Sequence, residues 1–224
     1  MNFTYHECET VSHLDCRWYI TPTGIYPSIT TILGATVSAE KQAALDNWKA
    51  ALGPEADKIS REAADKGTAV HTLAERLLLN QPLKLEEFDQ PAVDAFNSVK
   101  LVIKKIKPIS LEKAIYSPTL KLAGRFDCLG TFENKLYLID YKTSRRIKTE
   151  NDIHDYKIQL KFYADAHNER YGTEIKNGLI IMASAGFPLI FKINLDDKAL
   201  RTELEDREKQ FWVNFLAKYP TEVN

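Results

Sequence analysis

The stretch from Gly124 to Ser144 constrains this chain more than any other part of it: Gly-Arg-Phe-Asp-Cys-Leu-Gly-Thr-Phe-Glu-Asn-Lys-Leu-Tyr-Leu-Ile-Asp-Tyr-Lys-Thr-Ser. Two apolar runs flank a polar turn at Glu133-Asn134-Lys135, the pattern of paired strands joined by a tight hairpin. Asp127 lies in the first run, and Asp140 follows thirteen positions later at the end of the second. Pairing the runs brings both carboxylates to the same end of a sheet. Asp140 and Lys142 are two apart, so they share one face of their strand. Two acids and a lysine on one face can bind a divalent cation and hold an attacking water beside it. An Asp-x-Lys triplet recurs by chance, and a lone acid at a strand end is more often merely solvated. The rest of the chain has to decide.

Around this hairpin the pattern is that of an α/β fold with a central mixed sheet flanked by helices. Residues Phe3 to Ile20 alternate as an N-terminal β-hairpin. Ser28 caps a short helix through Leu33, Ser38 caps another through Leu52, and Pro54 opens a long one towards Asn80. Ile59, Ala63, Val70, Ala74 and Leu77 keep helical spacing there. A helix over Ala92–Lys105 precedes strands at Leu111–Tyr116, Lys121–Phe132 and Lys135–Lys142. A helix over Tyr156–Tyr171 closes at Gly172, two strands surround Ala185-Gly186, and Asp196 caps a last helix to Lys218. The 224 residues, 44% hydrophobic and 27% charged, suit one domain, with an N-terminal hairpin and helical part over 1–107 and a catalytic α/β core over 108–224.

The formal net charge of −1 excludes a protein that coats nucleic acid through its whole surface, so phosphate contacts have to be local. No apolar run is long enough for a membrane span, and the acidic start has neither signal nor transit character. The expected setting is the cytoplasm of a bacterium or a phage-infected cell. Cys8, Cys16 and Cys128 lack metal-finger spacing.

The Asp127 and Asp140-Tyr141-Lys142 arrangement resembles the PD-(D/E)XK nuclease superfamily. Phe126 stands where the name-giving proline would be, and Gly124-Arg-Phe-Asp127 looks like the Gly-x-x-Asp of its RecB-like branch. Gly67-Thr-Ala-Val-His71 on a helix, Glu112 on a strand, and Gln159-x-x-x-Tyr163 follow that branch's order. Tyr26-Pro-Ser-Ile-Thr-Thr-Ile-Leu33 with Leu45-Asp-Asn-Trp-Lys49 is similar to the mitochondrial genome maintenance exonuclease group and its phage and bacterial relatives. The resemblance implies a metal-dependent exonuclease acting on DNA, single-stranded and entered from an end. Its Mg²⁺ or Mn²⁺, one ion or two, is held by His71, Glu112, Asp127, Asp140 and the Tyr141 carbonyl. Lys142, Gln159 and Tyr163 complete the catalytic set. Tyr26, Ser28, Thr30, Arg125, Thr143, Ser144, Arg145, Arg146 and Lys148, with Gln159 and Tyr163, are the candidate DNA contacts. Some branch members carry a four-cysteine iron–sulfur cluster, which three cysteines cannot supply.

Several of these residues read two ways. His71 is either a ligand or a packed core histidine, Glu112-Lys113 a site acid or a solvated pair, and Ser28 a DNA contact or a helix cap. Trp48 reads as core rather than as a base-stacking platform. A structure-specific or duplex endonuclease, and an inactive nuclease-fold protein that only binds DNA as part of a larger assembly, are the alternative functions.

Overall fold

The computed structural model describes residues 3–220. Three antiparallel strands come first: β1 (Glu9–His13), β2 (Cys16–Thr21) and β3 (Gly24–Pro27). The expected hairpin is β1–β2, and β3 extends it. Leu14 and Asp15 both take positive φ, the mirror-image turn that suits a twisted two-residue hairpin. Ser28 accepts a hydrogen bond from the Thr31 N–H and caps α1 (Ile29–Ala35) as expected.

Ser38 likewise caps α2 (Ala39–Leu52). Gly53, at φ 54°, joins it to α3 (Pro54–Leu78) and is both the end of one helix and the start of the next. Helix α4 (Gln90–Ile103) begins two residues before the expected start, because Asp89 caps it through the Ala92 N–H. The main sheet follows: β4 (Lys107–Ser117), β5 (Leu122–Phe132), β6 (Lys135–Ser144), then α5 (His154–Tyr171), β7 (Asn177–Ser184), β8 (Phe187–Asn194) and α6 (Lys198–Lys218). The cap of α6 is Asp197, which accepts from the Ala199 N–H, and not the expected Asp196. Either aspartate satisfies the sequence rule, and only the direction of the chain leaving β8 chooses between them.

The strand order is β4-β5-β6-β7-β8, with β6–β7 the parallel pair in this sheet and α5 the crossover between them. The sheet is therefore mixed, as expected. Alternation along β6 and β7 sorts the core into two layers. Leu138, Ile180 and Met182 pack with Ile29 of α1, Phe162 of α5 and Phe211 of α6. Ile139, Tyr141, Leu179 and Ile181 pack with Leu73 of α3 and Phe96 of α4. Burying each such side chain contributes on the order of 1.5–3 kcal/mol, so both helical layers are anchored by apolar area. Helix α2 is the exception. It buries no residue, and Trp48, expected in the core, is 36% exposed on it.

Candidate active site

Ladder register places three acids in one row across three strands. Leu111 pairs with Cys128 and Lys113 with Phe126, which leaves Glu112 of β4 facing Asp127 of β5. Cys128 pairs with Ile139, so Asp127 stands beside Asp140 of β6, one step past the end of the β5–β6 pairing. With the ladder ended, the main chain of Tyr141 is free for other partners. Its N–H donates to Asp127 Oδ2 at 2.7 Å, and its carbonyl accepts from His71 Nε2 at 2.8 Å. His71 reaches the site from α3, with Nδ1 3.4 Å from Asp127 Oδ2. His71, Glu112 and Asp127 each offer a ligand atom, all within 4.8 Å of one another.

Asp140 stands outside that trio and faces Lys142. Lys142 Nζ is 2.5 Å from Asp140 Oδ2, but neither oxygen of this buried carboxylate has a hydrogen bond of acceptable geometry. The Lys142 ammonium also lies 4.9 Å above the Tyr156 ring. From α5, Gln159 donates to the Tyr163 hydroxyl at 3.0 Å, and both are buried. Tyr156, Gln159 and Tyr163 thus form one helical stripe against the site. Sequence reading found the last two and missed Tyr156, although its i, i+3, i+7 spacing was the available signal.

Charge is unevenly shared. Burial alone would lower the His71 pKa, but the charge and hydrogen bond of Asp127 raise it to about 9. For Asp127, burial opposes the charge, yet His71, Lys142 and the Tyr141 N–H outweigh it and hold the carboxyl below its usual range. Burial raises Asp140 to about 6, against Lys142 and with repulsion from Asp127. Burial and the charge of Asp127 raise Glu112 to about 7. Lys142 is buried too, but Asp140 and Asp127 keep its pKa above the ordinary lysine value.

Two clefts meet at His71, Glu112 and Arg125. One opens past Gly67 and Glu75 of α3. The other runs past Arg17, Thr30, Gln159 and Tyr163. Ser28 lines the second cleft while capping α1. Arg17 donates to Thr30 there at 2.8 Å and had no sequence signal, being one polar position of an alternating strand. Tyr26 is not brought to either cleft: it is buried, and its hydroxyl donates to the Thr23 carbonyl. The cations after β6 all have carboxylate neighbours. Arg145 is 3.2 Å from Glu62, Arg146 2.8 Å and Lys148 3.9 Å from Asp152. Ser144 donates to the Arg146 carbonyl, and Thr143 is half-buried at the same strand end.

A family model described as the PD-(D/E)XK nuclease superfamily matches residues 81–218, more than half of the chain. The chain belongs to the PD-(D/E)XK nuclease superfamily. Nucleases of this superfamily use divalent metals, and the His71, Glu112 and Asp127 trio offers the donors such an ion needs. The chain is 30% identical over 176 residues to mitochondrial genome maintenance exonuclease 1 of Xenopus tropicalis, covering 71% of this chain and 49% of that protein. The Homo sapiens protein of the same name is 28% identical over 170 residues, with the same two shares. The chain therefore spans about half the length of these curated relatives. Among solved structures, one from Eubacterium rectale, provisionally called an exonuclease, matches with TM-score 0.51 and 16% identity over 72% of this chain and 69% of its own. At that identity the likeness is one of fold.

Proposed function

We propose that this PD-(D/E)XK nuclease is a divalent-metal-dependent exonuclease that hydrolyses single-stranded DNA from a free end. The observation that carries the reading is the row of Glu112, Asp127 and Asp140. Within it, the buried Asp140 carboxylate has no well-formed hydrogen bond on either oxygen. Lys142 already stands at one of those oxygens, which leaves the row with further acceptors that a bound cation would complete. Carboxylates, a main-chain carbonyl and an imidazole form a set suited to Mg²⁺ and still more to Mn²⁺. His71, Glu112, Asp127, Asp140 and the Tyr141 carbonyl would hold the ion. Once bound, it supplies Lewis-acid chemistry at a phosphodiester and lowers the pKa of a water.

The protein's own groups have separable tasks. Lys142 retains its proton beside Asp140, so it orients the water and stabilises negative charge developing on phosphorus. The Tyr156 ring and Asp140 fix that ammonium from two sides. Gln159 and Tyr163 present a neutral amide and phenol along the cleft, beside Arg17 and Thr30. The carboxylate neighbours of the cations after β6 favour a narrow track over a broad duplex platform. Helix α2 and the first half of α3 add enclosure, tied down by Lys41–Asp155 at 3.1 Å and Arg145–Glu62 at 3.2 Å. The exonuclease names of the relatives agree with entry from an end.

The test is a panel of end-labelled linear single strands, linear duplex and closed single-stranded circles, each with Mg²⁺, Mn²⁺ or chelator. Linear single strands are expected to be shortened with either metal, with digestion stopping at a duplex junction, and circles spared. Rapid cutting of circles would overturn the exonuclease reading in favour of an endonuclease. Tight DNA binding without cleavage under any metal would leave an inactive DNA-binding protein.

A further inference from the structure

Glu112 is the one member of the acidic row whose backbone is out of character. It lies in the middle of β4, yet its φ is 49°, the left-handed region that a branched or long side chain seldom enters within a strand. The neighbouring residues resume regular pairing at once, Leu111 with Cys128 and Lys113 with Phe126. The left-handed turn is therefore local to one residue. Register sets Glu112 opposite Asp127, but the positive φ turns the chain at this one residue, so relaxing it would change the direction of its carbonyl and its carboxylate together. Something has to hold the turned form.

Arg125 is placed to do this. Its guanidinium Nη1 donates a hydrogen bond to the Glu112 carbonyl, two residues along β4 from its own ladder partner Ala114. Its other terminal nitrogen lies 3.8 Å from Glu7, and Lys113 lies 3.7 Å from the same carboxylate. One fork of the guanidinium is thus on the main chain of the strained residue, and the other faces the exposed Glu7 carboxylate. The place of Arg125 here differs from the DNA contact that the resemblance implies for it.

We infer that Arg125 is a positioning residue: by holding the Glu112 carbonyl it keeps Glu112 in the left-handed turn that aims its carboxylate at His71 and Asp127. This rests on the proposed metal site and deepens it. Arg125 acts on the ion only through Glu112, and phosphate contact is not its main role. A group that orients a ligand in this way affects affinity for the ion before it affects anything else.

Isothermal titration of Mn²⁺ into the DNA-free protein tests this, beside single-strand affinity in chelator and a thermal melt of every variant. Arg125→Met is expected to weaken Mn²⁺ binding about tenfold, in the range typical of groups that orient a ligand. Single-strand affinity in chelator is expected to stay within about twofold, since no phosphate contact is removed. Cleavage is expected to recover as Mn²⁺ is raised to saturation. Adding Arg125→Met to Glu112→Gln is expected to cause no further loss of Mn²⁺ affinity, because both changes remove one ligand. If Arg125→Met does not fold, the same readings are taken on Arg125→Lys. That variant keeps the charge but offers one point donor in place of the fork, and a smaller loss in the same direction is expected. Unchanged Mn²⁺ affinity with weakened DNA binding would overturn the inference and make Arg125 a phosphate contact. Additive losses in the double variant would overturn it too. Failure of wild-type protein to bind Mn²⁺ would instead defeat the metal site itself.

Discussion

His71 joins α3 to both β5 and β6 at the site. One ring nitrogen is bound to the Tyr141 carbonyl and the other is close to Asp127. Its pKa is raised from the ordinary 6.5 to about 9, so the favourable pairing is whole below about pH 6.5 and is lost as pH climbs through about 9. Glu112 and Asp140 are also raised, to about 7 and about 6, and their contributions fade in the same direction but at lower pH. Burial also raises the Cys8, Cys16 and Cys128 thiols, which adds a loss in the same direction above about pH 8.5, so the histidine is read from the difference between wild type and His71→Gln over about pH 7.5 to 8.5. Metal-free protein is expected to lose melting temperature across that range, and His71→Gln to lose less. Mn²⁺ affinity is expected to run the other way and rise with pH, because a ligating imidazole has to shed its proton. A flat melting profile in wild type would remove the His71–Asp127 pairing from the account. The Gly-x-x-x-His spacing located this residue in the sequence, but nothing there distinguished core from site. That distinction came from where β5–β6 pairing stops and exposes the Tyr141 main chain. Glu112 was legible as an acid on a strand, and its left-handed turn was not, since no residue-type signal marks a non-glycine turn inside a strand.

The β5–β6 hairpin was the most readable element because its determinants are local. Glu133 and Asn134 take positive φ, as does the Ala185-Gly186 pair between β7 and β8, and both turns interrupt clear apolar runs. β3 was less readable: it is short, and only its pairing with β2 makes it a strand. Helix α2 followed its cap and propensity correctly, yet the core placement of Trp48 failed because a helix lying over another exposed helix has no face to bury. The Gly-x-x-Asp glycine has a packing reason at this scale. A Cβ on Gly124 would stand 2.7 Å from Tyr163 Cε1 and 3.2 Å from Ile29 Cγ2. β5 meets α5 and α1 there at a distance only glycine permits. Gly124→Ala is expected to cost about 1–3 kcal/mol through overpacking. It should also displace Tyr163 from Gln159, so that activity falls by more than the melting shift explains. An unchanged melting temperature together with wild-type activity would show that α5 yields freely at this contact.

At the scale of the whole molecule, a chain of net charge −1 has no broad basic surface, and the charges at the site are set against one another locally. His71 and Lys142 face three carboxylates within a sheet that is apolar on both sides. The fold was legible as a mixed α/β arrangement from element order alone. The meeting of residues from α3, β4, β5, β6 and α5 was legible only through resemblance, since long-range register is not written in local pattern. The proposed entry of substrate from an end belongs to this scale too, and closed single-stranded circles test it. On the proposed function, the acids and the lysine serve metal-dependent hydrolysis and are not there to hold the fold. Asp140→Asn decides it most directly, assayed on an end-labelled linear single strand with Mn²⁺ and beside a melt without metal. Cleavage is expected to disappear while the metal-free melting temperature holds or rises, because one of the crowded carboxylates is gone. Wild-type turnover by the folded Asp140→Asn protein would contradict the account.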